Sequence, residues 1–418
     1  MARFLLAWEL GDGLGHASRF RPLAQGLRAQ GHEVDLMLRE IVHARSVLGD
    51  LGLRLLQAPF WMHQTVGGPN PSISLTEILV GNGYLQPDHL DGLVQGWLAA
   101  LDLIRPDVLV ADYAPTATIA AHIKGIPVAA VGGGFCLPPD ASPLPPFRTW
   151  EPIEPGRIAY WEQRVTQTVN TVLARHGAPA VPRLSAIFRG DKPLLCCWPE
   201  LDPYLRHDQR HDQRHDQRHT PPAAAGDVDA GLGPTFLNEG GEAPIWPEGD
   251  GPRVFAYVRS THGDLLALLQ ALEQSGCRTL CYLPEVAAGR PAPLVSPRIR
   301  YAGRPVDLAQ ALPQADLLIS HAGEATLAQA LLAGVPMLLL PTQAEQFLNA
   351  QGVVRLGAGL NAATHGQPAP YAQLLHALLH TDSYRAAAQG MAHRYRDFLP
   401  SALNQALTAA CESLLNGH

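Results

Sequence analysis

Residues 316–350 read DLLISHAGEATLAQALLAGVPMLLLPTQAEQFLNA, and the order of elements in this stretch decides the fold. Asp316 to Ser320 is a short apolar run of the length of a buried strand. It passes into the turn His321-Ala322-Gly323, then a helix-forming stretch, a Gly334-Val335-Pro336 break and a second apolar run up to Leu340. Glu345 and Gln346 lie at the exit of that second strand, followed by Asn349 and, further on, Gly357-Ala358-Gly359-Leu360. Strand, turn, helix and strand in this order predict a parallel α/β unit whose polar groups gather at successive strand ends. The turn into the helix is a ready anion site, because unpaired backbone N–H groups and the helix dipole face outward there. Gly323 lets the backbone approach a ligand closely, and His321 and the Thr326 hydroxyl can donate hydrogen bonds to phosphate oxygens.

The same alternation extends in both directions. Upstream, Arg253 to Val258, 278–282 and 299–301 read as strands, with a helix near Asp264 to Gln274. In the first half, 3–10 and 33–38 are strands around a helix at 16–30. Pro106 to Asp112 is a strand with a polar exit, Ala114 to Lys124 a helix and Pro127 to Val131 the next strand. Gly11-Asp12-Gly13-Leu14-Gly15-His16 links the first strand to the first helix. A dinucleotide fingerprint needs glycine at position 16, so the nicotinamide or flavin reading fails there, although Asp35 mimics that fold's ribose-binding acid.

At 418 residues the chain exceeds one ordinary core, and two domains of roughly 200 residues are expected. Hydrophobic residues at 46% and charged residues at 17% describe a globular chain with a large buried fraction. A formal net charge of −7 argues against a nucleic-acid surface, which needs clustered Lys and Arg. Six cysteines without a regular framework read as reduced thiols in a cytoplasmic protein. Phe4 to Leu10 is too short for a signal peptide, and no apolar stretch reaches the roughly 20 residues that span a bilayer. Peripheral membrane contact is left open.

Two long loops, roughly 57–84 and 132–150, carry Trp61, Met62, Phe135, Phe147 and Trp150. These aromatic and apolar side chains either cap the core or line an acceptor pocket, for which we name Trp61, Met62, Phe135 and Trp150. The tandem Arg-His-Asp-Gln repeat at 206–219 reads as a disordered expansion followed by a linker, with no metal site assigned.

The 320–360 pattern resembles the nucleotide-sugar signature of GT-B fold glycosyltransferases of family 1, especially the macrolide-glycosyltransferase and UDP-glycosyltransferase groups. The resemblance implies two Rossmann-like domains facing each other across a cleft. The expected boundaries are an acceptor-binding domain at 1–205, a linker at 206–250, a nucleotide-sugar domain at 251–390 and a last helix at 391–418 packing back on the first domain. It implies that His16 is the catalytic base, oriented by Asp112, which can also cap the following helix. It also implies donor contacts from Gly15, Arg304, His321, Gly323, Ala325, Thr326, Gln329, Glu345, Gln346 and Asn349. The chain departs from the family in three places: Glu324 stands where small or neutral residues are usual, Gln329 where plant members carry Glu, and no tryptophan accompanies Gly303-Arg304-Pro305. The implied activity is metal-independent, inverting transfer of a hexose from a UDP or TDP sugar, with no further cofactor, to a small-molecule or lipid-like hydroxyl. A nucleotide-sugar-binding or glycosyltransferase-activating protein with a decayed site, and a nucleotide-sugar 2-epimerase, are the alternatives.

Overall fold

The computed structural model describes residues 1–63, 65–206, 231–237 and 240–416; the repeat from His207 onward lies outside the described residues. The chain divides into two compact units, Met1–Thr235 with Ser401–His418, and Phe236–Pro400.

Unit 1 is built on six parallel strands: β1 (Arg3–Trp8), β2 (Glu33–Leu38), β3 (Arg54–Gln57), β4 (Val108–Asp112), β5 (Val128–Gly132) and β6 (Lys192–Leu195). Their spatial order is β3-β2-β1-β4-β5-β6. Unit 2 has β7 (Arg253–Tyr257), β8 (Arg278–Tyr282), β9 (Ile299–Tyr301), β10 (Leu317–Ser320), β11 (Met337–Leu339) and β12 (Gly359–Asn361). Their order is β12-β11-β10-β7-β8-β9, the same doubly wound arrangement read from the other edge. In each unit the strand order reverses between the first and fourth strands, β1 and β4 or β7 and β10. Ligands of open parallel sheets bind outside the carboxyl ends of the strands at that switch point.

Parallel sheets bury both faces, which is why these strands are nearly continuous apolar runs. In unit 1, Leu5, Ala7, Leu109 and Ala111 pack with Trp97, Leu101 and Ala117 of the flanking helices. In unit 2, Val254, Ala256, Leu317, Ile319 and Leu338 pack with Leu268, Leu272 and Leu375. β1 stops at Trp8, two residues short of the sequence expectation, because Leu10 N–H turns to the carbonyl of Tyr113 at 2.9 Å. The expected loop at 57–84 contains a helix, Leu75–Gly81, whose start is capped by the Ser74 hydroxyl. The helix Arg157–Arg175, not anticipated from the sequence, packs against Leu75–Gly81 and Pro87–Ile104.

The last helix, Pro400–Glu412, buries Leu403, Leu407 and Cys411, and residues from Ser401 onward belong to unit 1. Glu412 reaches the His32 ring at 2.8 Å. Among the described residues, no helix is long and apolar enough to cross a membrane.

β12 is held so close to β11 that a Cβ on Gly359 would stand 2.4 Å from the Met337 carbonyl oxygen. The obstacle is backbone and cannot rotate away. Gly359→Ala is therefore expected to destabilise unit 2 by about 1–3 kcal/mol, read as a lower Tm in calorimetry.

Candidate active site

The unit 1 switch point is occupied by charge. Helix Gly15–Ala29 follows β1 directly and buries His16 and Arg19 against the end of β4. Asp112, the last residue of β4, is fully buried, with Oδ1 3.0 Å from His16 Nδ1 and Oδ2 2.6 Å from Arg19 Nη1. The Arg19 contact is a well-formed hydrogen bond. The His16 contact is close enough for a charge interaction but is not aligned as a hydrogen bond. Burial alone would raise the Asp112 carboxyl, but the charges of Arg19 and His16 outweigh it and hold the group below the usual carboxylate range.

The imidazole is fixed on its other sides as well. It stacks on Trp8 at a centroid distance of 5.0 Å, and its Nε2 would lie 2.9 Å from a Cβ at Gly11. Gly11 also has φ +82°, so glycine is required there twice over. Tyr113, directly after Asp112, adopts φ +49°, a left-handed conformation that costs a non-glycine residue energy and tends to persist at functional sites. Its ring neighbours Phe135 at 6.1 Å and Phe188 at 6.4 Å. Under this turn the buried Glu9 carboxylate accepts the Thr116 N–H at 2.9 Å, and Tyr84 shares a 2.6 Å hydrogen bond with Thr116 Oγ1. Burial pushes the Glu9 carboxyl up to about 7, against the pull of its Thr116 hydrogen bonds and of Arg39.

The unit 2 switch point holds the turn His321-Ala322-Gly323. Helix Glu324–Leu332 begins at Gly323 with no side-chain hydrogen bond capping it, and the start of such a helix carries the positive end of its dipole. Ala322 sits at φ +63° in the turn. Asn349, expected to touch the donor, donates Nδ2–H to the Ala322 carbonyl at 3.1 Å and so is tied to the turn. His321 is bonded at both ring nitrogens. Its Nδ1 bonds the Leu340 carbonyl at 2.7 Å, and its Nε2 accepts the Arg259 N–H at 2.9 Å. Burial lowers the pKa of this ring, and His262 and Arg259 lower it further, so it is a neutral brace between β11 and the β7 exit; Nε2 has no proton to give a phosphate.

The remaining expected donor residues surround this turn. Gly323 is exposed, and Ala325 and Thr326 are half-buried in the first helical turn. Gln329 donates to Ala325 O at 3.2 Å and so lies along its own helix. Gln346 Oε1 accepts the Thr342 N–H at 2.9 Å and its hydroxyl at 3.0 Å; the amide nitrogen is the end that can serve a sugar hydroxyl. Glu345 is half-buried in the first turn of helix Ala344–Arg355. Arg304 is exposed beyond β9, and Gly15 is exposed at the first position of its helix in unit 1.

Glu324 places a carboxylate in the first turn of helix Glu324–Leu332. Glu324→Gln is expected to tighten nucleoside diphosphate binding about two- to five-fold, the size of a 0.3–1 kcal/mol charge effect at a helix terminus. Calorimetric titration at low and high salt checks this, with the gain shrinking as salt rises.

The four residues named for an acceptor pocket do not share one environment. Phe135 is buried against Tyr113 and Phe147. Trp61 packs on His63 and His89, whereas Met62 is 80% exposed and Trp150 44% exposed. Only Phe135 adjoins the His16–Asp112 turn, through Tyr113. Arg19 and Tyr113 were not singled out from the sequence; the signal for Arg19 was its place three residues after His16, on the same helical face.

Residues 287–407 match the family model "Erythromycin biosynthesis protein CIII-like, C-terminal domain". The elloramycin glycosyltransferase of Streptomyces olivaceus is 35% identical over 140 residues, 30% of this chain and 35% of that protein. A PGL/p-HBAD biosynthesis rhamnosyltransferase of Mycobacterium bovis is 26% identical over 287 residues, 64% of this chain and 58% of that protein. The chain thus spans about a third to three fifths of these relatives. The spinosyn rhamnosyltransferase SpnG, solved with thymidine diphosphate, superposes with a TM-score of 0.64 at 19% identity, covering 96% of this chain and 99% of SpnG. That likeness is one of fold, seen in the two parallel-sheet α/β units. The chain has the GT-B fold of these solved structures, and its second half is similar in sequence to macrolide-type glycosyltransferases.

Proposed function

We propose that the protein is an inverting glycosyltransferase that moves a hexose from a TDP or UDP sugar to a hydroxyl of a small-molecule or lipid-like acceptor. The observation that supports this reading is a pair of local arrangements, one at the switch point of each sheet. Unit 1 has a buried imidazole beside a carboxylate, and unit 2 has an uncapped helix start behind a tight turn. An acceptor hydroxyl is a poor nucleophile at neutral pH, and His16 can take its proton as the bond to the anomeric carbon forms. Asp112 stabilises the imidazolium that results. Single displacement requires the leaving diphosphate to depart on the face opposite the acceptor, which inverts the sugar carbon. The amides from Gly323 to Ala325 and the Thr326 hydroxyl stabilise that diphosphate without needing a metal, and Arg259 adds a cation at the same switch point. The thymidine diphosphate bound to SpnG favours a TDP sugar, and the glycosyltransferases among the relatives favour transfer over epimerisation. Nucleotide-sugar chemistry and reduced thiols fit a cytoplasmic setting.

The test incubates the protein with a panel of TDP, UDP and GDP sugars, with and without aromatic polyketide and phenolic acceptors, and follows nucleoside diphosphate release. Release that depends on acceptor supports the reading. Tight donor binding without release under any condition would instead indicate a binding module, and formation of an epimer without acceptor would indicate a 2-epimerase.

A further inference from the structure

Resting on the reading of His16 as the base, we propose that Arg19 is a positioning residue of this site: its guanidinium keeps the buried Asp112 carboxylate ionised and turned so that Oδ1 faces the imidazole. The two side chains leave helix Gly15–Ala29 three residues apart, on one face, and converge on one carboxylate. Each takes a different oxygen. The Arg19 side chain is only 7% exposed, so this is not a surface ion pair of negligible worth. A second contact fixes its direction: Nε–H donates to Thr235 Oγ1 at 2.9 Å, so the guanidinium is held at two points.

Asp112 needs such a partner. With no exposed surface, it would be favoured in its protonated form by burial alone, and a protonated carboxyl has no charge with which to stabilise an imidazolium. The charged groups facing Asp112 are Arg19 and His16, both from the same helix. From β5 the uncharged Gly132 lies beside it, a Cβ there falling 3.7 Å from Oδ1, and from β1 Asp112 is paired with Trp8. Arg19 is therefore the cation that keeps Asp112 available while His16 is neutral, the state in which the base must wait for substrate.

The consequence has a definite sign. Removing a cation from beside a coupled carboxylate and imidazole makes the pair take up its proton at higher pH, whichever atom carries it. The unprotonated base is the working form, so the acid limb of the kcat/KM profile moves upward with it.

The experiment compares wild type, Arg19→Gln, Arg19→Lys and Thr235→Val by two readouts: NMR titration of the His16 ring and the pH profile of kcat/KM. Arg19→Gln is expected to raise both midpoints by about one pH unit or more. Arg19→Lys, the variant that decides if Arg19→Gln does not fold, keeps the charge but not the fork; it should hold both midpoints near wild type and lower kcat with little change in KM. Thr235→Val should act in the same direction as Arg19→Lys, more weakly. A uniform loss of kcat/KM in Arg19→Gln with an unmoved His16 titration would show a merely structural residue, and wild-type kcat in Arg19→Lys would also overturn the proposal. If the wild type turns over no donor, the transferase reading fails, yet the His16 titration still decides the role of Arg19.

Discussion

Replacing His16 with alanine is expected to lower sugar transfer by about 100- to 10,000-fold, the usual worth of a positioned general base, while leaving nucleoside diphosphate affinity unchanged. The separation follows from where the groups are. His16 stacks on Trp8 and faces Asp112 in unit 1, whereas the uncapped start of helix Glu324–Leu332 lies in unit 2. The variant should therefore lose kcat without losing its donor. Calorimetry with TDP and a steady-state transfer assay check the two halves together. A raised donor KM at unchanged kcat would assign His16 to binding and remove the base from the mechanism.

Asp112→Asn should have the second large effect, on stability as well as on rate. The substitution leaves the Arg19 guanidinium buried without its counter-charge, and breaking one partner of a buried pair costs about 3–5 kcal/mol. It also leaves Nδ1 of His16 without its carboxylate, and loss of the equivalent carboxylate in a triad costs on the order of 10,000-fold in rate. The two losses are separable. The double variant Asp112→Asn with Arg19→Gln removes both charges and should recover much of the denaturant midpoint, because neighbours in one network do not add, while transfer stays lost. Recovery of neither quantity, or of transfer alone, would contradict this account of the pair.

The architecture was legible because its signals are strong ones: short apolar strands, Gly and Pro punctuation, and helices between. The runs at 33–38, 278–282 and 299–301 coincide with β2, β8 and β9. Ends were less legible, since β1 stops where Leu10 finds a partner more than a hundred residues away. The helix Leu75–Gly81 was hidden in a stretch whose Pro and Gly content suggested loop; its Ser74 cap is a local signal that was passed over, whereas its burial is a tertiary fact.

The site was legible in outline at both strand–helix turns and illegible in detail. His16 and Asp112 do approach each other, but the spacing that puts Arg19 on the His16 face of the helix does not by itself show that it shares the carboxylate. At the other turn the residue types suit a diphosphate, yet hydrogen-bond direction decides what each one does. Nε2 of His321 accepts from the Arg259 N–H, and Asn349 donates to the Ala322 carbonyl, so both brace the turn ahead of helix Glu324–Leu332. The acceptor residues were the weakest inference, because loop aromatics carry no periodicity. Only Phe135 lies near the His16 turn, and Tyr113, with its left-handed backbone, is the side chain that reaches it.

The most direct test of base-assisted displacement is the anomeric configuration of the product. NMR coupling constants of the sugar before and after transfer from an α-linked TDP or UDP donor to a phenolic or polyketide hydroxyl would report it. The account predicts a β-linked product that forms only with acceptor present and is lost in His16→Ala. An α-linked product, or nucleoside diphosphate release that yields only free sugar or an epimer in the presence of every acceptor, would contradict it.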